Sequence, residues 1–184
     1  MSKQRQCIFW IVVGTNGVGK TTFVKNIIER YPTDRNVLIA DPDGYEPAWY
    51  KFPEIPSVEL IPNMTKHRFR HMNPDKEDLE YYKTFQHGML VLDDCNHYLQ
   101  ANLQHQMKQI LVRRRQNDID IIAVAHSLTE VPPKFWNFAS HLVLFKTGTM
   151  RKQVNIPMWI KDDGHIQEVN DHQDRHYNKI LQLR

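Results

Sequence analysis

The sequence predicts an α/β fold: a mostly parallel five-stranded core sheet flanked by helices, with a C-terminal β-hairpin. Three observations carry this. Apolar runs of strand length alternate with segments of helical periodicity over most of the 184 residues. The first run, Ile8 to Val13, is unbroken, as a strand covered on both faces requires. It leads through a glycine-rich stretch directly into a helical pattern.

That stretch, Gly14-Thr15-Asn16-Gly17-Val18-Gly19-Lys20-Thr21, has the pattern G-x-x-x-x-G-K-[ST] at every fixed position. Glycines allow a tight turn that brings successive backbone N–H groups onto phosphate oxygens. This is the phosphate-binding loop of P-loop NTPases, and Gly14 to Thr21 with the following Thr22 are the predicted nucleotide-binding residues. Lys20 is expected to stand exposed and to reach the β- and γ-phosphates of ATP, with the Thr21 hydroxyl holding Mg²⁺. The helix over Thr21 to Arg30 puts Phe23, Val24, Ile27 and Ile28 on one face. It adds its positive N-terminal end to the site and stops before Pro32.

Val37 to Asp41 is a second strand, stopped by Pro42 and Gly44. Asp41 falls at the carboxyl edge, where open α/β sheets bind ligands; a turn aspartate that caps its own backbone is the equal alternative. Residues 45–73 form an irregular insertion broken by Pro47, Pro53, Pro56 and Pro62, in which only Val58 to Ile61 suits a short strand. Its basic cluster, Lys66 to His71 with Phe69 inside, suits either a nucleic-acid contact or a solvated loop. His67 and His71 have i,i+4 spacing, but two histidines without a third ligand make a poor metal site.

Asp75 to Gln86 reads as a helix that delivers the chain to the apolar strand Met89 to Leu92, which ends in Asp93-Asp94. Asp93 would support Mg²⁺, directly or through water. Asp94 stands where many ATPases keep the base that polarises water, and is one methylene shorter than the usual Glu. Leu99 to about Arg115 is helical, with Leu99, Leu103, Met107, Ile110 and Leu111 on the apolar face. It closes on Arg113-Arg114-Arg115, more cations than capping a helix end requires. Ile119 to Ala125 is the fourth strand, and His126 at its tip would stand close to the γ-phosphate. Pro132-Pro133 open a short helical piece, and His141 to Phe145 is the fifth strand. Trp159 to Lys161 and His165 to Gln167 flank Asp162-Asp163-Gly164, a hairpin signal, and a polar stretch of short helix or loose tail follows. The expected organisation is one domain over 1–184, with the hairpin and tail in 147–184.

Composition narrows the function classes. A net charge of +3 leaves no polybasic tail, so any basic surface is local. Cys7 and Cys95 lie beside apolar strands without zinc-ligand spacing, which suggests reduced thiols in a reducing compartment. No apolar run is long enough for a membrane span.

Five strands alternating with helices, and a polar-tipped strand after the acidic one, resemble the P-loop branch that carries an extra strand between its two motif strands. Kinases usually place the acidic strand next to the first. The stretch from Arg115 through Ile119–Ala125 to His126-Ser127 resembles a pattern of the HerA/FtsK superfamily: Arg, a short turn, an apolar strand, a polar sensor. Ala139 to Lys146 looks like the strand that follows in those proteins, and Asp41-Pro42-Asp43-Gly44 is similar to their Asp-Pro turn. The resemblance runs from Ile8 to Lys146. A minimal domain of this size looks most like the genome-packaging ATPases of icosahedral DNA viruses with internal membranes, with zonula-occludens-toxin-like phage ATPases as nearest rivals. The sensor there is usually Gln and the acids Asp-Glu; here they are His126 and Asp93-Asp94.

The resemblance implies hydrolysis of ATP with Mg²⁺, coupled to movement of double-stranded DNA by a homo-oligomeric ring, pentameric or hexameric. It implies capsid vertex proteins as further partners and a cytoplasmic or virion-associated location. The catalytic set it implies is Lys20, Asp94 positioning the attacking water, His126 sensing the γ-phosphate, and Arg115 serving a neighbouring subunit as an arginine finger. Helical periodicity alone does not choose among the three arginines; the resemblance picks Arg115, with Arg114 as runner-up. A small-molecule kinase and a nucleotide-switched binding module are the other classes this loop allows, and DNA-stimulated hydrolysis separates the motor from both.

Overall fold

The computed structural model describes residues 6–99, 104–148 and 164–183. In chain order the elements are β1 (Phe9–Val13), α1 (Lys20–Arg30), β2 (Asn36–Asp41), β3 (Arg68–Met72), α2 (Asp78–Tyr82), β4 (Gly88–Leu92), α3 (Gln104–Arg113), β5 (Ile119–Ala125), α4 (Pro133–Trp136), β6 (His141–Phe145), α5 (His165–Asp171) and β7 (Asn178–Gln182). The strands form one sheet in the order β3-β2-β4-β5-β1-β6-β7. Every pair is parallel except β6–β7. β5 lies between β1 and β4, the arrangement that the resemblance implies.

Alternation along each strand divides the core in two. Phe9, Ile11, Leu38, Leu90, Ile121 and Leu142 face one layer with residues of α2, α3, α4 and α5. Val12, Ile39, Val91, Ile122, Val124 and Val143 face the other, where Val24 and Ile28 of α1 pack with Trp49 and Phe52. Both faces being covered explains why β2, β4 and β5 are buried at every position.

The sheet is wider than the five strands read from the sequence, and both additions were misread. The basic cluster is β3, a parallel edge strand rather than a loop. Its arginines serve the fold: at the C-terminal end of α1, Arg68 donates to Tyr31 O (2.7 Å) and to Ile28 O (2.9 Å), which also accepts from Tyr31 N (3.1 Å). Arg70 is 9% exposed, with its guanidinium on the Tyr50 ring and Nη1 3.9 Å from Asp41 Oδ2. The strand foreseen at Val58–Ile61 is a 3-10 helix over Val58–Asn63 containing Pro62.

At the other edge, the antiparallel C-terminal pairing is made by β6 and β7. The hairpin strand foreseen at His165–Gln167 is the start of α5. Gly164 takes the left-handed conformation, but as the N-cap of a helix whose Ile166 and Val169 enter the core at i,i+3 spacing. Trp159 to Lys161 lies outside the described residues. The polar tail contains β7, whose Leu181 packs on the core while Ile180 stays half exposed. α2 is shorter than its pattern, with only Asp78–Tyr82; Cys95–Leu99 is a 3-10 helix, and the described part of α3 ends at Arg113.

Candidate active site

The glycine loop leaves the carboxyl edge of β1 pinned between its neighbours: Gly14 N donates to Ala125 O (3.2 Å) and Thr15 N to Lys146 O (2.8 Å). Gly17 (φ 73°) and Gly19 (φ 98°) hold left-handed conformations that only glycine adopts without strain. Gly19 is the N-cap of α1, and no acid occupies that helix's first turn, so its positive end is left for an anion. Lys20 is not exposed, as expected from the sequence, but 6% exposed. Its Nζ donates to Gly14 O (2.6 Å) and Thr15 O (2.9 Å), because the loop's own carbonyls curl within reach of the ammonium. Burial pushes its pKa down, against the carboxylates of Asp93, Glu130 and Asp94, which hold it up.

A cavity of about 600 Å³ opens in front of the loop. Lys20, Thr21 and Thr22 form one wall; Asp93 and Asp94 at the end of β4, His126 at the end of β5 and Asp41 at the end of β2 form the other. The residues predicted from three separate strands and the loop thus converge, apart from Arg115. Asp93 Oδ2 accepts from Trp49 Nε1 (2.6 Å) and Oδ1 from Asp94 N (3.1 Å). Burial raises its carboxyl to about 6, against those two donors. Asp94 has φ 40°, turning the chain sharply away from the sheet. Asp41 satisfies both readings made of it: Oδ1 caps its own turn by accepting from Gly44 N (3.1 Å), and the carboxyl lines the cavity. Its buried Oδ2 has no hydrogen-bond partner among the described residues, and burial raises its pKa.

His126 is exposed and borders a second cavity of about 430 Å³. Glu130 Oε2 accepts from His126 N and Ser127 N, both at 3.1 Å, closing a capping box with Ser127. Arg115, exposed after α3, precedes β5 and so lies at the opposite end of the sheet from this chain's own cavity. Arg114, the runner-up, is 6% exposed and donates to Leu111 O and Phe138 O.

Among the described residues no cluster of three His, Cys, Asp or Glu could hold a metal. Mg²⁺ needs less, one or two carboxylates beside substrate phosphates. Asp93, nearly buried with only two N–H donors on its carboxylate, and the Thr21 hydroxyl fit that demand.

Sequence reasoning missed four residues here. Glu130 was legible as Ser127-x-x-Glu130. Trp49, Arg175 and His176 were not: Arg175 Nη2 lies 3.4 Å from Asn16 O and His176 Nδ1 3.2 Å from Val18 O, contacts across more than 150 residues of chain.

No family model matches the chain, and no curated protein sequence matches it. The fold is that of P-loop NTPases. It is similar to the genome packaging NTPase B204 from Sulfolobus turreted icosahedral virus 2 in complex with ATPγS, at TM-score 0.71 and 14% identity over 96% of this chain and 92% of that one. The DNA-packaging ATPase B204 from Sulfolobus turreted icosahedral virus matches at TM-score 0.71 and 13% identity over 96% and 92%. The N-terminal domain of zonular occludens toxin from Neisseria meningitidis aligns at TM-score 0.48 and 12% identity over 98% and 96%. Viral packaging ATPases, the kind of protein the sequence most resembles, are thus among the structural neighbours.

Proposed function

We propose that this chain is one P-loop ATPase domain that hydrolyses ATP and moves double-stranded DNA, as a homo-oligomeric ring that packages a viral genome. The observation that carries this is the strand order. With β5 between β1 and β4, the loop's Lys20, the acids Asp93-Asp94 and His126 face one cavity, whereas a kinase-like order would put the acidic strand beside the first. The likeness to two viral packaging ATPases over nearly the whole of both chains supports the same reading.

In this reading the backbone N–H groups of Gly14 to Thr22 bind the phosphates and Lys20 exchanges its loop carbonyls for β- and γ-phosphate oxygens. Thr21 and Asp93 hold Mg²⁺, which supplies charge neutralisation at the phosphates. Asp94 orients the attacking water, and His126 senses the γ-phosphate from the tip of β5. Arg115, remote from its own cavity, serves the next subunit. No helix among the described residues is long and apolar enough to cross a membrane. In the packaging reading the protein acts at a capsid vertex, on its cytoplasmic or virion side, with DNA and vertex proteins as partners. ATPase rate with and without duplex DNA, alongside oligomer mass, tests this. DNA stimulation of an assembled ring is the expected result; DNA-independent turnover by a monomer would sink it.

A further inference from the structure

We propose that Arg175 is a second phosphate-binding cation of this site, supplied in cis by the segment between α5 and β7. The inference rests on the nucleotide reading of the glycine loop and adds to it a residue from the far end of the chain.

The guanidinium lies directly over the loop. Arg175 Nη2 is 2.3 Å from where a Cβ on Gly17 would stand, so any side chain at that position would displace it. Among the described residues its only hydrogen bond is the long one to Asn16 O (3.4 Å). The residue is exposed. This differs from the arginines that hold the fold. Arg68 donates to Ile28 O and Tyr31 O at the C-terminal end of α1, and Arg114 is buried and donates to two carbonyls. Arg175 instead carries a planar fork of donors, mostly unused, beside a loop shaped to collect phosphate oxygens.

Its position is braced from both sides. His176 places Nδ1 3.2 Å from Val18 O and 3.1 Å from a Cβ built on Gly19, so the segment rests on both left-handed glycines. Asp174 accepts from His176 N (2.8 Å). Tyr177 donates to Glu168 Oε1 of α5 (2.9 Å) and stacks on His172 at 3.8 Å. The chain then enters β7, paired along its length with β6. A cation held this way meets a polyphosphate without first ordering its own backbone, which lowers the entropic cost of the contact.

A cation at the rim acts in proportion to the phosphate charge it faces. We therefore compare binding of MgAMPPNP, MgADP and AMP to the full chain, to Arg175→Ala and to Arg175→Lys. Arg175→Ala is expected to lose roughly tenfold in affinity for the triphosphate analogue, the scale of one exposed charge-assisted hydrogen bond. The loss is expected to be smaller for ADP and absent for AMP, with Arg175→Lys recovering part of it and the melting temperature unchanged. Unchanged triphosphate affinity, or an equal loss for all three ligands, would overturn the proposal, the second by showing that the segment acts through packing. Failure of the unmutated chain to bind any nucleotide would overturn the reading of the loop itself.

Discussion

Lys20 is folded onto the carbonyls of the loop it serves, and this alters what its removal does. Lys20→Ala is expected to abolish ATP binding or turnover and also to lower stability slightly, by about 1–2 kcal/mol for the lost bonds to Gly14 O and Thr15 O. A thermal melt beside an ATPase assay checks both; hydrolysis at the normal rate would mean the loop has been misread. Asp93 makes a sharper case. Its carboxyl titrates at about 6 in the fold against an ordinary 3.8. The folded chain therefore holds this proton more tightly than the unfolded one. The resulting stabilisation is complete below pH 3.8 and is lost as pH rises through about 6, leaving a charged, buried carboxylate that costs about 3 kcal/mol at neutral pH. In metal-free buffer Asp93→Asn is expected to melt higher than the parent at pH 7–8, with the difference vanishing toward pH 4, while turnover with Mg²⁺ is lost. A difference in melting temperature that stays constant between pH 5 and pH 8 would contradict this account.

At the scale of elements, the two residues proposed as sensor and finger flank the two ends of one strand, β5. The C-terminal end presents His126 to this chain's cavity, and Arg115 precedes the N-terminal end. A side chain at the far edge of the sheet cannot reach this chain's own cavity, which is why the proposed finger acts in trans. Arg115→Ala is accordingly expected to bind ATP normally and to hydrolyse it 10³–10⁵-fold more slowly, the approximate range for arginine fingers supplied in trans. Mixing it with Lys20→Ala restores activity, because an intact loop then meets an intact finger at some interfaces. A mixture that stays inactive while subunits demonstrably exchange would remove Arg115 from the mechanism. Arg114 by contrast is buried, with Nη1 donating to Leu111 O and Nη2 to Phe138 O.

At the scale of the whole molecule, the surface available to DNA is smaller than the basic residues of the sequence suggest. Arg68 and Arg70 of β3 are turned inward, onto α1 and beside Asp41. Of that cluster's Lys and Arg side chains only Lys66 remains exposed. Duplex binding by the assembled ring is expected to weaken with salt, each neutralised phosphate adding about 0.9 to the log–log slope. Lys66→Ala is expected to reduce that slope and Arg68→Ala to leave it unchanged while destabilising the C-terminus of α1. No duplex binding even at low salt would favour the kinase or switch classes.

The parts of this protein that the sequence determined by itself are those encoded within a few residues of one another. The strand–glycine loop–helix unit, the apolar strands ending in Asp93-Asp94 and His126, and hence the convergence of the site at one sheet edge all follow from local periodicity and turn chemistry. Contacts closed by long crossovers leave no such pattern. Only the tertiary structure decided that Trp49 holds Asp93, that Arg70 lies beside Asp41, that the basic cluster is an edge strand, and that Arg175 lies over Gly17. An arginine that satisfies a helix end, one that stacks on a tyrosine and one poised over a phosphate loop are identical in sequence. What separates them is which donors and which solvent the fold leaves within reach, and that is set by residues tens to more than a hundred positions away.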